Sequence, residues 1–333
     1  MKRLSALTLV SAALAIAPVV LLAEPDAPSG RQPRIVSRPA APGQTRPAQI
    51  APKSASVIGY SVQLNIVTRI QGLSFYRTAV DITNNTTTEG VTATYQYCYT
   101  LNGTYRGCTA GQAILLHKFD NFHEDDIIQY LGTIPGLLPV EAVASSFGTF
   151  IVTFDGLPSN HGWEGTVTGR TYSPINQAQP LAGTVAIAYP GSLFFESSKG
   201  SLVAIVRDTR PHPTEAGALR TNLGVTNTAL FNATDSVDFA VSFYDTATGA
   251  VVGNTLIPPH PLAPGEVYQF NNVFDAAAIP ASVDSCIVFV DVTTPQPALP
   301  LTIEGYVDTL DGGTQDGAYY EFKCSVGCPS GSF

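Results

Sequence analysis

The chain has 333 residues, of which 13% are charged and 44% hydrophobic, with a formal net charge of −9. That balance suits a packed globular body rather than a disordered one. From residue 54 onward there are 10 Lys and Arg against 24 Asp and Glu, a net of −14, which disfavours nucleic acid as a partner because phosphate binding needs clustered cations.

The first 23 residues read as a secretory signal. Lys2 and Arg3 precede an apolar run from Leu4 to Leu22, and Ala23 offers a small residue for cleavage. Leu21 is bulky for the position two before it, and the alternative is a retained N-terminal anchor. Residues 24–55 follow as a Pro/Arg-rich disordered linker, with Pro25, Pro28, Pro33, Pro39, Pro42, Pro47 and Pro52. Proline donates no backbone hydrogen bond, so such a run is not expected to build a ladder or a helix. No later stretch approaches the ~18 apolar residues of a membrane-spanning helix, so the mature chain is expected to have no transmembrane segment.

Residues 56–191 carry period-two patterning. Val62, Leu64 and Ile66 alternate with Ser61, Gln63 and Asn65, which predicts a strand with one face on a core and the other in water. A second alternating run, Thr92-Ala93-Thr94-Tyr95-Gln96-Tyr97, leads into Asn102-Gly103, a hairpin signal. Cys98 and Cys108 flank that turn and are expected to face each other as a disulfide. Residues 123–131 are expected to be a short helix, with Glu124, Asp125 and Asp126 at its positive end. Residues 192–200 form a short joiner. Residues 200–323 repeat the strand-rich character, with Val237, Phe239, Val241 and Phe243 alternating and a short helix expected at 272–278 before Pro280. Residues 324–333 form a tail carrying Cys324 and Cys328. With Cys286 the cysteines number five, so one is left over whichever pairs form.

The two halves are related. Arg77-Thr78 through Thr83-Asn84 matches Arg220-Thr221 through Thr226-Asn227 at an offset of 143, from 77 to 220. Asp126 to Tyr130 parallels Glu266 to Phe270 at offset 140, and Phe150 to Val152 parallels Cys286 to Val288 at offset 136. Ordered blocks of this kind indicate a duplicated unit, and the period is too long for solenoid repeats of roughly 20–50 residues. The expected fold is therefore all-β, two tandem immunoglobulin-like antiparallel β-sandwich domains with short helical insertions. The stretch Arg220 to Asn227, then Leu262-Ala263-Pro264-Gly265-Glu266, then Gly305-Tyr306-Val307-Asp308 to Gln315-Asp316-Gly317-Ala318 resembles a class of exported bacterial β-sandwich repeats. The resemblance implies fold and export, and no chemistry.

Signatures of catalysis are missing from the sequence. His117, His123, His161, His212 and His260 form no zinc-binding pair, and there is no nucleophile elbow or phosphate-binding glycine loop. Asp308, Asp311 and Asp316 surround Gly312-Gly313 and could chelate calcium, though Asp and Gly also suit a tight turn and the spacing fits no EF-hand. No other cofactor is expected. Tyr95, Tyr97 and Tyr99 share one strand face near Tyr105, either as a stacking surface for a sugar or partner, or as the core side of the strand. Trp163 sits in a loop entering a strand, as an edge plug or a partner anchor. The sequence thus points to a non-catalytic secreted or cell-surface structural or binding protein with a protein or glycan partner. A carbohydrate-binding module pair is the alternative, and a hydrolase with an interdomain site the second.

Overall fold

A computed structural model of the chain describes residues 34–37, 60–71, 75–158, 163–174, 184–193, 201–207, 218–228, 236–294, 303–311 and 317–326. The signal segment, most of the linker, His161, His212, Asp316 and Cys328 lie outside the described residues. Among the described residues the first element is strand β1 (Arg34–Ser37). The first copy then comprises β2 (Tyr60–Gln71), β3 (Phe75–Asn84), β4 (Val91–Leu101), β5 (Thr104–Cys108), β6 (Gln112–Leu116), β7 (Asp120–Glu124), helices α1 (Ile127–Gly132) and α2 (Val140–Ala144), β8 (Ser146–Asp155), β9 (Gly165–Pro174), β10 (Thr184–Pro190) and β11 (Ser192–Leu193). The second copy comprises β12 (Ser201–Arg207), β13 (Leu219–Asn227), β14 (Phe239–Asp245), β15 (Val267–Phe270), α3 (Val273–Ala276), β16 (Ser285–Val292), β17 (Ile303–Asp311), β18 (Gly317–Glu321) and β19 (Lys323–Val326).

The chain is all-β, built of antiparallel sheets with short helices between strands. In the first copy the order β4-β8-β2-β11 makes one layer and β7-β3-β9-β10 the other. In the second copy the layers are β14-β16-β12-β19 and β15-β13-β17-β18. Strand for strand, the two orders are the same. The first copy's layers are also stitched at one corner, where Arg69, Ile70 and Gln71 of β2 pair with Arg77, Tyr76 and Phe75 of β3. Each copy has a core shared by its two layers: Val62, Tyr95 and Phe150 meet Val80, Phe122 and Val167 in the first, and Val241 and Val288 meet Leu223 and Val307 in the second. Immunoglobulin constant domains place their first, second, fourth and fifth strands in one sheet. Here the first strand shares its layer with the third and fifth, so the likeness is of sandwich architecture and not of strand order.

Several expectations shift. Asp120–Glu124 forms a strand where a helix was expected over 123–131, and the helix begins at Ile127 after its N-cap Asp126. Asp126 Oδ1 accepts from Gln129 N at 3.1 Å, and its Oδ2 accepts from Arg69 Nε at 2.9 Å. Local capping thus fixes the start one turn later than the acidic run alone suggests. The pairing Val80↔Glu124 corresponds to Leu223↔Phe270, which makes β7 the counterpart of β15 at an offset of 146, from 124 to 270. The same offset carries N-cap Asp126 onto N-cap Asn272. The apparent match of residues 126–130 with 266–270 is therefore out of register and sets a helix against a strand. Arg34–Ser37, inside the supposed disordered linker, pairs with β7 as an edge strand; the four residues contain no proline, so nothing blocks their hydrogen bonds. The joiner begins with β11, and the tail begins within β19.

Candidate functional site

Strand parity builds the junction between the copies. Along β17, Ile303 and Val307 enter the second core, while Tyr306 and Leu310 join the first. Glu304 and Asp308 share the face of Tyr306 and Leu310 by the two-residue period. On β13, Leu223 and Val225 face the second core, and Asn222 and Thr226 are buried on the opposite side. The first copy answers with the polar side of β2. Gln63 and Asn65 alternate with core residues, yet both are buried, so this face does not lie in water as expected. Asn65 Nδ2 donates to Tyr319 OH at 3.3 Å and to Glu304 Oε2 at 3.5 Å, and Thr226 Oγ1 donates to Asn65 Oδ1 at 3.4 Å. Ser192 Oγ donates to Glu321 Oε1 at 2.7 Å. Tyr189 of the first copy lies 5.1 Å, centroid to centroid, from Tyr319 of the second, which stacks on Tyr306 at 5.7 Å.

The cysteine hairpin supports the same junction. Cys98 and Cys108 lie opposite each other on β4 and β5 and form a disulfide. Asn102 and Gly103 take positive φ (50° and 74°), as the hairpin turn requires. Against the disulfide sits the turn at Gly265. A Cβ there would lie 2.9 Å from Cys98 Sγ and 3.1 Å from Cys108 Sγ, and its φ is +78°, so both space and conformation call for glycine. Tyr105 OH donates to Pro264 O at 2.7 Å, and Thr149 Oγ1 donates to Gly265 O at 2.8 Å.

Between the copies lies a cavity of about 580 Å³. Its apolar wall comes largely from the first copy, with Ile66, Ile70, Phe147, Val185 and Ile187. The second copy supplies Leu310 and most of the polar groups: Arg220, Asn222, Glu266, Gln269 and Asp308, with Tyr76 from the first. Burial pushes the Asp308 carboxyl up to about 6, opposed by the hydrogen bond from Asn222 and the Arg220 charge. Burial also pushes Glu304, at the junction, up to about 8, aided by the neighbouring Glu321 carboxylate. His260 Nε2 lies 2.8 Å from Glu266 Oε1 at the cavity. Neither Ser nor Cys lines the cavity among the described residues. Of its threonines, Thr171 bonds Thr78 and Tyr189, and Thr68 donates to Ser146 O.

The residues first singled out are distributed differently. Tyr95 is 2% exposed and packs on Phe122 and Phe150, while Tyr97 is fully buried and hydrogen-bonds Ser146. The stacking face therefore does not exist; alternation turns these rings into the core. Tyr99 is half-buried against Tyr97, and Tyr105 is spent on the junction. Trp163 alone of the group stands out from the surface, 63% exposed. Asp308 and Asp311 are three residues apart on β17, so they point to opposite faces. Asp308 is bonded to Asn222, and Asp316 lies outside the described residues. The described residues contain no group of three or more metal-binding side chains. Cys286 is buried and reduced, and its thiol is pushed up to about 11 by burial, which makes it a small core hydrophobe. Among the described residues no helix is long and apolar enough to cross a membrane.

Sequence reading weighed His260 and Asp308 for metal binding but did not gather them with the other lining residues, because each has an ordinary local reason to be where it is. A signal was present in β17, where Glu304 and Asp308 share the face of Tyr306 on a strand whose other face is apolar. Comparison with family models finds no match to the chain, and comparison with curated proteins finds no matching relative.

Proposed function

We propose that this chain is a non-catalytic binding protein of the cell exterior that takes a small, mostly apolar ligand between its two β-sandwich copies. The observation that carries the reading is the cavity of about 580 Å³ at the junction. Its size falls within the roughly 300–1,000 Å³ of small-molecule sites, and its mainly apolar wall with a few convergent polar groups is their usual composition. The export signal expected from Lys2, Arg3 and the apolar run supports such binding outside the cytoplasm. A hydrolytic role has less support, since among the described residues His260 and Glu266 pair without a serine or cysteine beside them in the cavity wall. Sugar binding at the tyrosine-rich hairpin has lost its surface, because Tyr95 and Tyr97 are buried.

The test is titration of the full chain with the neutral fluorophore N-phenyl-1-naphthylamine. Saturable binding at one site is expected, weakened about tenfold or more when the half-buried or exposed lining positions Thr100 and Ile70 are both changed to Trp to fill the space. Absence of saturable binding, or equal binding to the filled variant, would overturn the reading.

A further inference from the structure

Beside the cavity, β15 presents an edge that no other strand covers among the described residues. Glu266, Val267, Tyr268 and Gln269 line the space without a gap in the sequence. A strand that meets a space with one face shows it every second residue, as β13 does with Arg220 and Asn222 and β17 with Asp308 and Leu310. Consecutive residues therefore place the space along the edge, and Tyr268 borders it although its ring packs against the second core. Asn227 N donates to Glu266 O at 3.0 Å, and antiparallel alternation from that bond turns the N–H and C=O of Val267 and Gln269 away from β13. Ile70, Gly103, His260 and Asn271 line the same space and are exposed, so it has a mouth to the outside. β10 also borders the space with consecutive residues, Val185, Ala186 and Ile187, but among the described residues neither it nor its counterpart β18 carries a further strand.

The counterpart of β15 does carry one. β7 holds the place of β15 in the first copy's layer, and β1 pairs along its outer edge, with Arg34 opposite His123 and Val36 opposite Asn121. The offset of 146 carries His123 onto Gln269 and Asn121 onto Val267, so the edge taken by β1 on β7 is the edge left open on β15. We infer, on the footing that the cavity is a ligand site, that it takes a short extended peptide, which adds to β15 as an antiparallel strand. Main-chain hydrogen bonds to Val267 and Gln269 hold the peptide, and alternate side chains enter the apolar wall at Ile66, Phe147, Val185 and Ile187. Such a peptide is free of proline where it pairs, rich in β-branched residues and basic at its flanks. The basic flanks answer the 10 Lys and Arg against 24 Asp and Glu of the chain from residue 54 onward, a net of −14. Residues 31–40, which contain β1, have this character, with Arg31, Arg34 and Arg38 around Ile35 and Val36.

The experiment is titration of the full chain with a synthetic peptide of residues 31–40, labelled for anisotropy and unlabelled for displacement of N-phenyl-1-naphthylamine. Saturable binding is expected, with displacement of the probe over the same concentration range. N-methylation of the peptide at Val36, whose N–H faces the edge in the register of β1 on β7, should weaken binding about tenfold or more. N-methylation at Ile35, whose N–H faces away, should weaken it about threefold or less. The changes are confined to the peptide, so no outcome turns on whether a variant of the chain folds. A probe that binds but is not displaced by the peptide overturns this inference and leaves the cavity reading standing. Equal losses from the two methylations also overturn it. If the probe itself does not bind, the cavity reading fails, and the peptide site with it.

Discussion

The outer face of β3 and that of β13 hold the same place in two sheets of the same strand order, and they are put to opposite uses. On β3, Asp81 is half-exposed and ion-pairs with His123 at 2.9 Å, and Thr83 bonds Asn121. The matching stretch of β13 places Gly224 where the first copy has Asp81, and the ring of Tyr306 lies over it with no room for a Cβ. Asn222 and Thr226, its neighbours on that face, are buried at the junction. A charge facing solvent needs no partner beyond an ion pair of small worth. A buried face needs shape, and the exchange of a carboxylate for a glycine under an aromatic ring supplies it. One face is turned to solvent and the other is buried at the junction, beside the cavity.

That contrast can be broken at its tightest point. Gly265→Val forces a branched side chain into positive φ and against the Cys98–Cys108 disulfide, and should cost about 2–4 kcal/mol in denaturant unfolding. Gly249 has similar φ (+70°) but open space around it, so Gly249→Val should cost only its backbone strain, about 1–2 kcal/mol. Equal losses at the two glycines would mean that the hairpin does not support the junction. Removing the disulfide by Cys98→Ala with Cys108→Ala should cost about 2–3 kcal/mol, the expected value for so short a loop. It should also weaken probe binding, since Thr100 and Gly103 of the same hairpin line the cavity.

The junction also carries a pH signature of its own. The folded-state pKa of Glu304 is raised from 4.5 to about 8 and that of Asp308 from 3.8 to about 6. In both cases the folded chain holds the proton more tightly than the unfolded chain, so stability from these groups falls as pH rises. The loss accrues between about 4 and 6 for Asp308 and between about 4.5 and 8 for Glu304, and then levels. Glu304→Gln should therefore stabilise the protein by about 1–2 kcal/mol at pH 8, and by little at pH 5, in unfolding measured across pH. A stabilisation independent of pH would contradict the burial of that carboxyl at the junction. The smallest effect belongs to Trp163→Ala, away from both core and cavity: a change within about 0.5 kcal/mol, read from the same unfolding curves.

Much of the fold was legible because it is written locally. The period-two runs around Val62, Tyr95 and Phe239 became β2, β4 and β14, and Asn102-Gly103 became the turn joining β4 to β5. The correspondence of β3 with β13 was legible from their Arg-Thr and Thr-Asn pairs, although the block at 126–130 slipped register because an acidic-apolar run can read as either element. The site was less legible. Alternation reports that Gln63 and Asn65 oppose a core face, but not that a second domain covers them. The tyrosines were left between a stacking face and a core face for the related reason that a row of rings on one strand face looks alike whether it meets water or a core. Asp308 looked like a turn or calcium residue until its register partner Asn222 placed it inside the junction.

Calorimetric unfolding of the full chain tests most directly whether the two copies are one body around a shared cavity. A single transition whose calorimetric and van't Hoff enthalpies agree is predicted, because core residues of the second copy, Val267, Tyr306 and Leu310, pack in the first copy's cluster. Two separate transitions, with one copy melting while the other stays folded, would contradict it.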